Sequence, residues 1–241
     1  EAMEIRLTGE LAEKYDIIYS THVSNIGDLD YVANGASAGS QGLGARMEAM
    51  VIRLVEKNSE DAPDTSGRGF VKEFSPEDLT YAAHVQRLGN LEAVTSGQTQ
   101  GTTGQSLRVE GFCVNLDTTA LNALKGDIMY SAHVQNVGWQ EWKKNGEFAG
   151  TEGESLRIEA IQIKLTGEAA KFYNVYYRAH IQNFGWMGWA KNGEKAGSES
   201  ISQRMEAFQI VLVPKCKDQS AYQSSKAAFR NTYVYQNPSQ Y

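Results

Sequence analysis

The chain has 241 residues and is 41% hydrophobic, enough to bury one large core or two small ones and unlike the composition of a disordered chain. Twenty-nine acidic against 23 basic residues leave a net charge of -6, which argues against nucleic acid as a partner. No apolar run approaches the roughly 18 residues of a membrane span, so no membrane insertion is expected.

Self-similarity organises the rest. Taking the four histidines, His22, His84, His133 and His180, as origins, the same residue types recur downstream. Tyrosine lies three positions before each (Tyr19, Tyr81, Tyr130, Tyr177). Glycine follows five positions after (Gly27, Gly89, Gly138, Gly185), at 13 (Gly35, Gly97, Gly146, Gly193) and at 17 (Gly39, Gly101, Gly150, Gly197). Arginine recurs at 24 (Arg46, Arg108, Arg157, Arg204) and glutamate at 26 (Glu48, Glu110, Glu159, Glu206). Histidine spacings of 62, 49 and 47 give a unit of about 48 residues with one insertion.

In chain order, 1–10 reads as the end of a preceding repeat, because 1–7 (EAMEIRL) matches 206–212. A divergent repeat 1 spans 11–56 and opens with a short helical turn at 10–15. An insertion covers 57–78, of which 57–69 is polar and rich in turn formers, the mark of an exposed loop. A divergent repeat 2 follows at 79–127, repeat 3 at 128–174 with a counterpart helical turn at 168–173, and repeat 4 at 175–213. Residues 214–241 form a polar, tyrosine-bearing tail.

Within a repeat the elements are strands. Tyr130, Ala132 and Val134 alternate with Ser131, His133 and Gln135, so tyrosine and histidine point to opposite faces. The strand at 156–165 shifts its apolar phase at Ala160, where Ala49, Gly111 and Ala207 stand in the other repeats, predicting a bulge or a close backbone approach, with a strand buried on both faces as the alternative. Asn145-Gly146 and Asn192-Gly193 suit tight hairpins whose central residues both take positive φ. The expected fold is all-β: tandem three-stranded units with approximate rotational symmetry, β-prism or β-trefoil-like, with a propeller as the alternative.

The runs YSAHVQNVGWQEWKKNGEFAGTEGESLRIEAIQIKLTGE (130–168) and YRAHIQNFGWMGWAKNGEKAGSESISQRMEAFQIVLV (177–213) resemble the clostridial hydrophobic repeats with a conserved tryptophan, the ChW family. The resemblance implies a secreted or cell-surface protein of a Gram-positive bacterium whose repeats serve as binding or interaction modules; it does not imply a catalytic activity, and no enzyme is expected. Repeats 1 and 2 depart from it, carrying Asp28 and Asn90 where repeats 3 and 4 have Trp139 and Trp186.

All four tryptophans fall in Gly-Trp-x-x-Trp pairs, Trp139 with Trp142 and Trp186 with Trp189. An aromatic platform holds the C–H face of a sugar, and Asn145, Glu147, Asn192 and Glu194 stand close enough in sequence to bond its hydroxyls. The first tryptophan of each pair is expected to pack between repeats. The second position, Tyr31 in repeat 1 and Ala93 in repeat 2, suits a surface. The His, Arg and Glu of each repeat read as a hydrogen-bonded cluster registering two strands, because a catalytic triad would have to occur four times. One histidine per repeat and no ligand-spaced Cys or His grouping argue against a metal, and no cofactor motif is present. Cys113 reads as a small apolar strand residue, and pairing with Cys216 is left open. The expected partners are a glycan or, alternatively, a surface protein, with strand exchange offering a route to a homo-oligomer.

Overall fold

A computed structural model describes residues 1–232. The chain is mostly β and divides into two compact units. One holds Glu1–Phe74, Asp117–Gly126 and Gly167–Phe172; the other holds Ser75–Leu116, Asp127–Thr166 and the chain from Tyr173 on. The helical turns expected near 10 and 168 form as Glu10–Lys14 and Gly167–Phe172.

Each repeat is built on two long antiparallel strands. The tyrosine–histidine strands are Tyr15–Val23, Leu79–Val85, Ile128–Val134 and Tyr173–Ile181. The glutamate strands are Met47–Glu56, Val109–Leu116, Ile158–Leu165 and Met205–Pro214. Alternation works as expected: Tyr81, Ala83 and Val85 are buried while His84, on the other face, is only partly covered. The predicted irregularity is a bulge, and the extra residue is the recurring glutamate: Val85 pairs with Val109 and His84 with Gly111, skipping Glu110, and the other repeats repeat the shift.

The expected hairpin at the second recurring glycine is a turn whose two arms part. Lys143–Lys144 before it pairs with its own repeat's tyrosine–histidine strand, whereas the short glycine strand after it, Ala149–Gly150, pairs with the glutamate strand of repeat 2. Asn192, at φ 48°, precedes Gly193 at 95° as a primed turn requires. Asn145 departs from that expectation. It is not among the positive-φ residues; its amide reaches into repeat 2, accepting from Leu116 N at 2.6 Å and donating to Leu116 O at 3.1 Å.

These short strands link the repeats of the second unit head to tail. Ala149–Gly150 of repeat 3 lies on the glutamate strand of repeat 2, Ala196–Ser198 of repeat 4 on that of repeat 3, and Gln100–Gly101 of repeat 2 on that of repeat 4. The pairing therefore returns to its start after three repeats. At each junction the glycine's backbone runs against the neighbour: a Cβ on Gly101, Gly150 or Gly197 would stand 2.4–2.5 Å from the carbonyl oxygen of Glu206, Glu110 or Glu159. All three also take φ of 99–119°, which makes glycine doubly required. Among the described residues the strands form separate hairpin sheets, and no closed barrel or propeller is present.

The recurring tyrosines seal the same junctions. The Tyr81 hydroxyl donates to its own repeat's Gln98 O and accepts from Ile210 N of repeat 4 at 3.2 Å. Tyr130 and Tyr177 donate to Glu147 O and Glu194 O and are hydrogen-bonded by the backbone of Val114 and Ile163. Burial first of all pushes the Tyr81 and Tyr130 hydroxyls up to about 12. Tyr81, Phe208, Phe112 and Tyr130 form a chain of ring contacts with centroids 5.2–5.6 Å apart, so the core draws on all three repeats.

The first unit repeats one junction with other parts. Ala2–Met3 pairs with the short strand Ala38–Gln41 of repeat 1, and Ile5 N donates to the Tyr19 hydroxyl at 3.0 Å, so 1–7 sits on repeat 1 as 206–212 sits on repeat 2. Phe70–Lys72, from the insertion, pairs in parallel with the other side of Ala38–Gln41. Arg68, buried beside it, makes two hydrogen bonds at 3.2 and 2.8 Å to Glu168, which also accepts from Lys125 N. Burial tends to raise the Glu168 carboxyl, but Arg68 and the Lys125 amide outweigh it and hold it below its ordinary value.

Part of the tail packs on repeat 4. Phe229–Arg230 pairs in parallel with Ala196–Ser198, as Phe70–Lys72 does in the first unit. Tyr222 stacks on Tyr176 with centroids 4.8 Å apart. The last part of the tail, 233–241, lies outside the described residues. Cys113 is half-buried in its strand and is not bonded to Cys216.

Candidate functional site

The histidine clusters assemble on the strand bulge in every repeat. Bulging turns Glu110, Glu159 and Glu206 inward, where they are 5–6% exposed. Each accepts from the arginine two positions earlier: Arg108, Arg157 and Arg204 donate from Nε at 2.8, 2.9 and 3.0 Å. The other carboxylate oxygen faces histidine, with His84, His133 and His180 at 3.4, 3.4 and 3.3 Å. In repeat 1 the same residues are loose: Arg46 and Glu48 stand 3.8 Å apart, and His22 is 4.0 Å from Glu48. His84 and His133 also approach Glu152 and Glu199 of the following repeat at 3.7 and 3.8 Å.

The residue six positions after the histidine is its second partner, whatever its type. His22 Nδ1 meets Asp28 Oδ1 at 2.7 Å, and His84 Nδ1 meets Asn90 Oδ1 at 3.1 Å. In repeats 3 and 4 the edge of an aromatic ring takes that place: His133–Trp139 and His180–Trp186 have centroids 5.4 Å apart at 68° and 82°. Trp139 and Trp186 are half-buried rather than sealed inside.

The residue nine positions after the histidine is backed by a cation wherever it is aromatic. Lys164 Nζ lies 4.1 Å from the centre of the Trp142 ring, and the Arg53 guanidinium 5.4 Å from that of Tyr31. In repeat 4 the position of Lys164 is held by Val211, and the cation arrives from the tyrosine–histidine strand instead: Arg178 lies 4.6 Å from Trp189 and 4.7 Å from Trp186. Repeat 2 has Ala93 and, at the cation's place, Asn115, so it lacks both halves. Lys195 adds a contact 5.2 Å from Trp139 and also bonds Glu199, whose carboxyl is held below its ordinary value chiefly by that hydrogen bond. Burial pulls the Arg178 guanidinium below its ordinary value.

The four polar residues expected to meet a ligand are engaged in turns. Glu147 and Glu194 accept from Lys144 N and Lys191 N at 2.7 and 3.0 Å, and both side chains are exposed. Asn192 accepts from Val175 N and donates to Asn174, while Asn145 bridges to Leu116 as described above. The residues that flank the rings are the cations Lys164, Arg178 and Lys195, together with Tyr222, whose ring meets Trp189 edge-on at 5.2 Å. Sequence reasoning passed over these. The signal was there in part: Arg53 and Lys164 share one repeat position, and the repeat without an aromatic lacks a cation at it.

A family model described as Clostridial hydrophobic W matches 22–56, 84–117, 133–167 and 180–214, more than half of the chain. The chain belongs to the clostridial hydrophobic W family. Each matched stretch begins at one of the four histidines, three residues after the recurring tyrosine, and takes in the tryptophan positions, the glycine strand and the glutamate strand. This is a repeat family, and no catalytic family was matched. Among the described residues no group of three His, Cys, Asp or Glu is placed to hold a metal, and no helix is long and apolar enough to cross a membrane. No curated protein and no solved structure matches the chain.

Proposed function

We propose that the chain is a non-catalytic binding module, secreted or displayed on the surface of a Gram-positive bacterium, that holds glycans on the tryptophan-bearing faces of repeats 3 and 4. The observation that carries this reading is the pairing of aromatic and cation at Trp142 with Lys164 and at Trp189 with Arg178, reached from different strands in the two repeats. Core packing alone does not call for a cation at a half-buried ring. A ring braced on one side and flanked by donors offers a stiff apolar platform with hydrogen-bonding groups at its rim, the combination a pyranose needs. Lys164, Arg178 and Lys195 are positioned to serve sugar hydroxyls or carboxylates, and Asn145, Glu147, Asn192 and Glu194 shape the turns beneath. The head-to-tail strand pairing supports an approximate three-fold, β-prism-like arrangement of repeats 2 to 4, which spaces the two faces by one repeat.

A glycan array with the intact chain, beside a Trp142→Ala, Trp189→Ala double variant with a retained thermal melt, tests this. Binding by the parent and its loss in the variant is the expected result. Binding that survives the double substitution, or no binding by the parent, overturns it. A protein partner is the second reading, favoured by one observation: the glutamate strand of repeat 1 leaves Met50, Val51, Ile52 and Leu54 46–54% exposed.

A further inference from the structure

The glutamate strand of repeat 1, Met47–Glu56, lacks what covers its three counterparts. Val109–Leu116, Ile158–Leu165 and Met205–Pro214 each carry a neighbour's short glycine strand on the edge away from their own hairpin partner. Among the described residues Met47–Glu56 is paired with Tyr15–Val23 alone. The consequence is visible in burial: Phe112, Ile161 and Phe208 are 0–1% exposed, whereas Met50, at the same repeat position, is 54% exposed. Ile210, whose amide bonds the Tyr81 hydroxyl, is fully buried; its equivalent Ile52 is 49% exposed.

The structure also shows what fits such a strand. Residues 48–54 read EAMVIRL, and residues 1–7 read EAMEIRL, identical at six of seven positions. Residues 1–7 are seated on the short strand Ala38–Gln41, with Ala2 opposite Gly39, Met3 opposite Ala38, and Ile5 N on the Tyr19 hydroxyl. Ala38–Gln41 is therefore a demonstrated acceptor for the sequence that Met47–Glu56 exposes. Repeats 2 to 4 show that this interface, made head to tail, closes after three units.

We propose that repeat 1 assembles three copies of this chain into a cyclic homotrimer. In it, Met47–Glu56 of each copy takes the place of residues 1–7 on Ala38–Gln41 of the next. The occupant is a second copy, because its acceptor strand already holds this sequence. Met47–Glu56 enters as a strand already held by its hairpin partner Tyr15–Val23, so it loses little conformational entropy on docking, which favours the trimer as concentration rises. It buries Met50, Ile52 and Leu54 and brings the Ile52 amide to the partner's Tyr19 hydroxyl. Segment 1–7 acts as an internal competitor that sets the concentration at which the trimer forms.

Sedimentation equilibrium over a wide concentration series tests this on the intact chain, an Ile5→Lys variant that weakens the competitor, and an Ile52→Lys variant that blocks the docking strand. The expected result is a species of three times the 26.6 kDa chain mass, favoured at least tenfold in concentration by Ile5→Lys and abolished by Ile52→Lys. Lysine at the exposed Ile52 leaves the monomer's circular dichroism unchanged, which separates lost docking from lost folding. A monomer throughout overturns the proposal. A dimer overturns it as well and assigns the strand to edge-to-edge pairing with its own copy.

Discussion

Tyr81 and Ile210 lie 129 residues apart, yet the Ile210 amide donates to the Tyr81 hydroxyl at 3.2 Å, and both residues are buried. The bond joins the first and last repeats of the second unit, where a local contact cannot. Replacing Tyr81 by Phe leaves the Ile210 amide and the Gln98 carbonyl without that partner. Each orphaned buried group costs about 1–3 kcal/mol. Urea unfolding of the second unit is expected to show a loss in that range.

The three junction tyrosines also set an alkaline limit. The Tyr81 and Tyr130 hydroxyls rise from 10 to about 12 in the fold, and Tyr177 is raised as well, with burial the leading cause in each. A raised folded value means the unfolded chain releases these protons first. Their contribution is whole below pH 10 and declines as pH climbs toward 12. Thermal melts from pH 8 upward are expected to fall steeply beyond 10, and less steeply in Tyr81→Phe. A flat profile contradicts the burial of these hydroxyls.

In the first unit the sign reverses. Glu168 is held below its ordinary 4.5 by Arg68 and the Lys125 amide against the pull of burial, so its stabilisation is present above that value and fades as pH falls below it. The protection of amides in Phe70–Lys72 and Gly167–Phe172, with exchange rates taken relative to the intrinsic rate at each pH, is expected to fall in acid. Glu168→Gln is expected to remove most of that acid dependence.

The glycines differ in what they protect. Gly101→Ala places a Cβ 2.5 Å from Glu206 O at a φ of 99°, and combined clash and strain are expected to cost roughly 2–4 kcal/mol. Gly104→Ala, with φ 72° and open space around the Cβ, meets only the conformational penalty of about 1–2 kcal/mol. Denaturant melts of the two variants side by side check the difference.

One motif is expected to have two different strengths. Glu159→Ala strips Arg157 and His133 of a carboxylate that is 5% exposed, with a loss of roughly 2–4 kcal/mol. Glu48→Ala removes a carboxylate whose side chain is 45% exposed, and a change below about 1 kcal/mol is expected. Equal effects in the two variants contradict the view that neighbouring repeats, rather than the motif itself, provide its setting.

The repeat unit, its two long strands, the bulge and the histidine cluster were legible because each leaves a periodic mark in the sequence. Gly101 and Gly150 recur because a neighbour's backbone crosses them, but the glycine alone does not say whose backbone. The parting of strands around Asn145 was hidden for that reason: a turn sequence reports local geometry, and the destination of Ala149–Gly150 is decided by a contact with Gly111 and Phe112 in another repeat. The cation partners were missed because Lys164 and Arg178 reach equivalent rings from different repeat positions, which a fixed-offset search does not align. The Arg68–Glu168 pair has no repeat counterpart at all, joining an insertion to a helical turn 100 residues away.

The central claim is that a ChW repeat is completed by its neighbour through the tyrosine hydroxyl and the glycine strand. Amide hydrogen exchange on the dilute chain, resolved by residue, tests it directly at equivalent positions of the four glutamate strands. The account predicts slow exchange at Val114, Ile163 and Ile210, where a neighbour's tyrosine hydroxyl is present, and fast exchange at Ile52, which faces solvent. Uniform protection at all four, or fast exchange at Ile210, would contradict it.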